Sequence, residues 1–280
     1  MISEEKSAQP VALTIAGFDP SGGAGIVADI KTFASLGCTP AAAVTSLTFQ
    51  NSSAMFGAAH QTAEIVRQQV NSILAGSPIA GAKTGMLPTA EIVREVARLF
   101  RETNLPAPVV DPVMRSTSGY DLIEPDAWDL LVSVLLPLAR VITPNIPEAE
   151  RITGLEISDQ NGMRRAARRI REMGARAVLV KGGHLEEQRS EVRGQRSEQL
   201  EPVGLARQAI DVLDDEGEVT VFRGDWIEGP SMRGTGCMLS AAIAACLGKG
   251  ISLEDSTRSA RQFVRNAINR LPPNTLLSHL

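Results

Sequence analysis

The sequence predicts an α/β fold: a mostly parallel central sheet with helices on both faces, in three layers. Three observations predict it. Short apolar runs rich in Val, Ile and Leu alternate with longer amphipathic stretches along most of the chain. The short runs are nearly continuous in hydrophobicity, as expected for strands buried on both faces. Polar and glycine-rich segments follow these runs directly, at the carboxyl ends where an open α/β sheet binds its ligands.

Val11–Ile15, Ala42–Leu47, Val109–Asp111, Val141–Thr143 and Ala177–Lys181 read as strands. Ala24–Leu36, Thr62–Leu74, Thr89–Phe100, Asp126–Leu136 and Gln160–Met173 carry Ile, Val, Leu and Ala at helical spacing. Strand–helix alternation of this kind builds βαβ units. After Lys181 the order changes. Ala209–Leu213 and Val219–Phe222 flank the acidic stretch Asp214-Asp215-Glu216-Gly217-Glu218 and read as an antiparallel hairpin. Two helices follow, over Gly236–Leu247 and Leu253–Asn269. No repeat or linker divides the chain, so residues 1–280 read as one domain with a flexible N-terminus over about residues 1–10. From Glu186 to Arg207 the chain is mostly Glu, Arg, Gln and Ser, which reads as a solvated insert loop.

Composition narrows the function classes. A net charge of −4 gives no cationic field, so nucleic acid is not an expected partner. No apolar run approaches the roughly 18 residues that span a bilayer, and the first ten residues have no apolar core of a secretory signal. Cys38, Cys237 and Cys246 lack the number and spacing of a disulfide framework or zinc site. The expectation is a cytoplasmic protein acting on a small molecule.

Five motifs fall after strands. Gly17-Phe18-Asp19-Pro20-Ser21-Gly22-Gly23-Ala24-Gly25 opens a helix and lets backbone approach a ligand, or is simply a tight strand–helix turn. It is neither a dinucleotide fingerprint nor a P-loop. Arg233-Gly234-Thr235-Gly236-Cys237 precedes an apolar helix, so its free N–H groups form an anion hole for a phosphoryl group in transfer. On that first turn the Cys237 thiol is expected to have a lowered pKa. In Thr143-Pro144-Asn145-Ile146-Pro147-Glu148, Asn145 and Glu148 stand three apart, suited either to magnesium held through water or to a capping box. Asp111, in Asp111-Pro112-Val113-Met114, offers a carboxylate to a magnesium-bound water or caps its loop. Lys181, in Val180-Lys181-Gly182-Gly183-His184, offers a mobile positive charge to phosphate, and its glycines permit close approach of a nucleotide.

The ordered set of motifs resembles hydroxymethylpyrimidine/phosphomethylpyrimidine kinases of thiamine biosynthesis. It includes Ala12-Leu13-Thr14-Ile15-Ala16-Gly17, Asp19 to Gly25, Lys31-Thr32-Phe33 and Thr48-Phe49-Gln50-Asn51. It continues through Lys83-Thr84-Gly85-Met86-Leu87, Asp111 to Met114, Thr143 to Glu150, Val180 to Leu185 and Gly234 to Cys237. The resemblance implies a ribokinase-like fold, ATP and Mg2+, and phosphorylation of 4-amino-5-hydroxymethyl-2-methylpyrimidine to its monophosphate and then its diphosphate. It also implies a homodimer. It places Gly17, Asp19, Ala24, Gln50, Met86 and Val113 at the substrate, with Gln50 on the ring edge and Met86 and Val113 on its faces. Lys181, Gly182, Asn145 and Thr235 fall at the nucleotide, and Asn145, Glu148 and Asp111 at magnesium. Gly234, Thr235, Gly236, Cys237 and Lys181 fall at the transferring phosphoryl, with Cys237 as the candidate base. The alternatives are a pyridoxine or pyridoxal kinase and a non-catalytic pyrimidine-binding module. Two features depart from the family pattern: Arg233, where histidine is common, and the long insert. Arg233 either adds charge to the phosphate clamp or pairs with an acidic neighbour.

Overall fold

The computed structural model describes residues 9–51, 53–183, 208–227 and 233–270. The insert and most of the N-terminal stretch named above lie outside these residues. One nine-stranded sheet organises the described chain, in the order β3-β2-β1-β4-β5-β6-β7-β8-β9. Its strands are β1 (Val11–Phe18), β2 (Thr39–Gln50), β3 (Met55–His60), β4 (Ile79–Thr84), β5 (Val109–Val110), β6 (Val141–Ile142), β7 (Ala177–Lys181), β8 (Gln208–Asp215) and β9 (Glu218–Asp225). From β2 through β7 neighbours run parallel, and β3, β8 and β9 pair antiparallel at the two edges.

Alternate strand residues face opposite layers, because side chains change face at each residue. Val110, Ile142, Val178 and Val180 join Leu13 and Ile15 on one face, beneath α2 (Ala63–Gly76), α3 (Ala90–Glu102), α4 (Pro125–Leu130), α5 (Ile146–Thr153) and α6 (Gln160–Glu172). Val109, Val141, Ala177 and Leu179 join Ala12 on the other, beneath α1 (Gly25–Ser35), α7 (Thr235–Gly248) and α8 (Leu253–Arg270). The expected three-layer arrangement is therefore observed. Every residue of α7 from Met238 to Cys246 is buried, which fixes the helix that carries Gly234–Cys237 at its start.

Several elements differ from expectation. β4 was not expected: Ile79-Ala80-Gly81-Ala82-Lys83-Thr84 has little of the β-branched character of a strand. It is a strand because β1 and β5 enclose it and α7 lies against it. A Cβ on Gly81 would lie 2.3 Å from the Ala244 carbonyl oxygen, so only glycine admits this approach. β3 was missed for a similar reason, being Met, Phe, Gly, Ala, Ala and His. The helix expected over Asp126–Leu136 is regular only to Leu130; a π-helical turn (Leu131–Leu135) and a 3-10 turn (Leu136–Leu138) follow, the latter containing Pro137. The hairpin turn tightens to Glu216-Gly217, with φ of 54° and 105°, the left-handed pair of a two-residue turn.

Candidate active site

A cleft of about 1290 Å³ lies along the carboxyl ends of the strands. It exceeds the usual range of a few hundred to about 1,000 Å³ for one drug-sized ligand, so two ligands can lie in it side by side. Gly17, Asp19, Ala24, Gln50, Met86 and Val113 line it, with Asp111, Asn145, Glu148, Lys181 and all of Gly234–Cys237. Thus motifs far apart in the sequence converge because parallel strands place all their carboxyl ends on one edge.

Gly182 is the exception. The cleft takes Gly183 and not Gly182 into its wall. A Cβ on Gly182 would lie 2.5 Å from the Ile210 carbonyl oxygen and 2.6 Å from Met163. Its N–H donates to Ile210 O at 3.0 Å and to Asp211 Oδ1 at 3.1 Å. It is glycine so that β7 can close on β8.

Gly234–Cys237 opens α7, as expected. Gly234 is the N-cap of α7 in the left-handed conformation, φ 79°, and its carbonyl accepts from Met238 N–H at 2.8 Å. A Cβ there would lie 2.0 Å from the Gly23 carbonyl oxygen, so the loop is seated on the glycine-rich turn after β1. Gly236 leaves room for Lys181, whose Nζ would be 3.3 Å from a Cβ at that position. Lys181 Nζ lies 3.2 Å from Asp111 Oδ1, and Asp111 also accepts from Thr143 Oγ1 at 3.2 Å and Ser240 Oγ at 3.4 Å. Burial opposes the charge on Lys181, yet Asp111 and Glu148 keep its pKa above the ordinary lysine value.

Asn145 and Glu148 form the capping box. Asn145 Oδ1 accepts from Glu148 N–H at 2.9 Å, and Glu148 Oε2 accepts from Asn145 N–H at 2.8 Å. Burial, with the Asp111 charge adding to it against Lys181, pushes the Glu148 carboxyl up to about 7. Two buried carboxylates that repel one another are a donor set to which a hydrated dication suits well.

The expectation for Cys237 fails in sign. Burial pushes its thiol up to about 11, although the Lys83 charge and the Gly25 N–H both favour the thiolate. Position at a helix start does not outweigh loss of water around the sulfur. Cys237 is thus a neutral thiol at pH 7. Its alkylation by iodoacetamide, followed at this residue by peptide mass spectrometry, is expected to accelerate about tenfold per pH unit from 7 to 10. A rate already level across that range would mean a thiolate.

Sequence reasoning missed a buried cluster at the floor of the cleft, which Lys83 helps to line. Lys83, at the end of β4, donates to Asp29 Oδ2 of α1 at 2.8 Å, and Thr14 Oγ1 donates to the same oxygen at 2.6 Å. Both charged side chains are wholly buried. The signal was a lysine within an otherwise apolar strand sequence. The far wall of the cleft, formed by Phe222, Trp226, Arg261 and Arg265, was also missed, because nothing in their spacing marks a site.

Residues 19–276 match the model of the phosphomethylpyrimidine kinase family. The chain belongs to this family. It is 40% identical over 260 residues to a hydroxymethylpyrimidine/phosphomethylpyrimidine kinase of Rhizobium meliloti, covering 92% of this chain and 90% of that protein. It is 38% identical over 261 residues to a thiamine biosynthesis bifunctional protein of Geobacter sulfurreducens; that match covers 93% of this chain but only 49% of the longer relative. The crystal structure of phosphomethylpyrimidine kinase from Clostridium difficile superimposes with a TM-score of 0.77 at 35% identity, covering 93% of this chain and all of that one. An ADP complex of Bacillus subtilis pyridoxal kinase gives 0.80 at 33% identity, covering 96% and 95%. The expected family and ribokinase-like kinase fold are thereby established. No helix among the described residues is long and apolar enough to cross a membrane.

Proposed function

We propose that the chain transfers the γ-phosphoryl group of ATP, with magnesium, to the hydroxymethyl group of 4-amino-5-hydroxymethyl-2-methylpyrimidine, and then phosphorylates the monophosphate to the diphosphate. The observation that carries this is the seating of Gly234–Cys237 and Lys181 between two parts of one cleft. Gln50, Met86 and Val113 line it at the ends of β2, β4 and β5, and Phe222 and Trp226 line it at β9, across the sheet. Phosphoryl transfer depends on positioning and on stabilising the charge of the transferring group. Here the N–H groups at the start of α7 and the Lys181 ammonium face that charge, while Gln50 and Met86 hold the acceptor ring. Cys237 is the candidate acceptor of the hydroxyl proton, and a thiol that still holds its own proton cannot accept another. The backbone and Lys181 therefore carry more of the rate than Cys237.

Asp111 and Glu148, with Asn145 adjoining, would hold magnesium through water, and the ion when bound would supply further positive charge to the phosphate oxygens. Burial holds the Glu148 carboxyl up at about 7, and the positive charge of the ion would favour its ionised form. A single domain over the whole chain, the cytoplasm and a homodimer belong to the same reading; exposed Leu47, Phe49 and Phe56 on the β2–β3 edge support the last.

A second reading is a pyridoxal kinase, favoured by the TM-score of 0.80 to the Bacillus subtilis enzyme. Parallel assays of ADP release decide. Release requiring both magnesium and the pyrimidine is expected; release with pyridoxal alone would replace the leading substrate, and release with neither would leave a binding module.

A further inference from the structure

At the ring-facing end of the cleft, the orientation of one amide is dictated by its neighbours. Thr48 Oγ1 gives its only proton to the Phe18 carbonyl at 2.8 Å. Toward Gln50 it can therefore only accept, and it takes a hydrogen bond from Gln50 Nε2 at 2.8 Å. On the other side stands Arg233, whose guanidinium can only donate, and it donates to Gln50 Oε1. Both neighbours demand the same orientation of the amide.

Arg233 is itself held. It donates to the Asn51 carbonyl, and its Nη2 lies 3.6 Å from Asp19 Oδ2. That oxygen is buried and has no hydrogen bond of its own, so the guanidinium is its nearest compensation. Asp19 is fixed through Oδ1, which accepts from the Ser21 N–H at 2.8 Å and the Ser21 hydroxyl at 2.7 Å. With three acceptors around it, Arg233 is turned toward β2 and the turn after β1, which is the pairing alternative of the two its sequence position allowed.

A locked amide retains one N–H on Nε2 and one lone pair on Oε1. Side by side they complement a ring edge with an acceptor next to a donor, as in a ring nitrogen flanked by an amino group. The reversed edge, a ring N–H beside an oxo group, would set donor against donor and acceptor against acceptor. We propose that Arg233 and Thr48 are positioning residues that lock Gln50 so that the cleft selects an amino-substituted heteroaromatic ring over its oxo counterpart. This rests on Gln50 contacting the ring, as in the function proposed above.

The test is titration calorimetry of the full chain with 4-amino-5-hydroxymethyl-2-methylpyrimidine and with its 4-oxo counterpart. The wild-type protein is expected to bind the amino ring at least about 100-fold more tightly, since a site built for one hydrogen-bonding pattern rejects its mismatch strongly. In the double variant Arg233→Met, Thr48→Val the amide is free to rotate, and the preference should fall by about tenfold or more. Arg233→Lys, which keeps a donor, should retain most of it. A structural clasp alone would weaken both ligands together. An unchanged ratio in the double variant overturns the proposal, whether or not affinity falls. Should that variant not fold, Arg233→Met alone is judged by the same ratio. If the wild-type protein bound neither ring, the pyrimidine reading would fall and this proposal with it, a result distinct from a flat ratio.

Discussion

Replacing Lys83 by Met is expected to destabilise the fold by about 3–5 kcal/mol, because it leaves one buried charge without its partner. Lys83 and Asp29 are both fully buried and 2.8 Å apart. Burial raises the Asp29 pKa, with the Asp111 charge adding to it, and the Lys83 charge and hydrogen bond are the largest opposing influences. Asp29 Oδ1 has no hydrogen-bond partner, so besides Lys83 only the Thr14 hydroxyl, on Oδ2, supports this carboxylate. Once Lys83 is gone, Asp29 must take up a proton or draw water into the layer between β1, β4 and α1. Urea unfolding measures the loss. The double variant Lys83→Met, Asp29→Asn should recover part of it, since a neutral amide is easier to bury than a carboxylate. Equal losses in the single and double variants, or a single-variant loss below about 1 kcal/mol, would contradict the ion-pair account.

Gly234→Ala is expected to lower kcat by about 100-fold or more, the scale on which displacement of a catalytic group by about 1 Å is felt. The left-handed φ of 79° disfavours alanine, by about 1–2 kcal/mol. The larger effect is steric: the new methyl would lie 2.0 Å from the Gly23 carbonyl oxygen, a backbone atom that cannot turn aside. The Gly234–Cys237 loop must then lift from the turn after β1, and its N–H groups lose their aim. Because α7 is buried from Met238 to Cys246, the helix itself should stay in place. Steady-state kinetics with a thermal melt distinguishes these effects. A fall in kcat of less than about fivefold would mean that the loop does not stabilise the transferring group.

The strands β1, β5, β6 and β7 were legible because their apolar runs are those of strands covered on both sides. The site motifs were legible because they follow strand ends directly. β4 was hidden, since Gly81 is there to admit α7, a contact 163 residues distant in the chain for the pair Gly81 and Ala244. The same is true of Lys83, whose partner Asp29 is set by tertiary packing. Cys237 shows the limit of local reasoning about charge: helix position argued for a low pKa, and desolvation of the thiol among the residues packed around it, which no local pattern reveals, reversed it. Gly182 shows the corresponding limit for glycines, as its neighbour Ile210 lies beyond the insert. Asn145 and Glu148, by contrast, were readable in advance as a capping box, and that is the geometry they adopt.

The account turns on what this cleft phosphorylates. Incubation of the full chain with ATP, magnesium and 4-amino-5-hydroxymethyl-2-methylpyrimidine, with products separated by anion exchange and weighed by mass spectrometry, tests it most directly. The monophosphate should appear first and the diphosphate should follow from it. Recovery of the pyrimidine unchanged, under conditions in which pyridoxal is phosphorylated, would contradict the account.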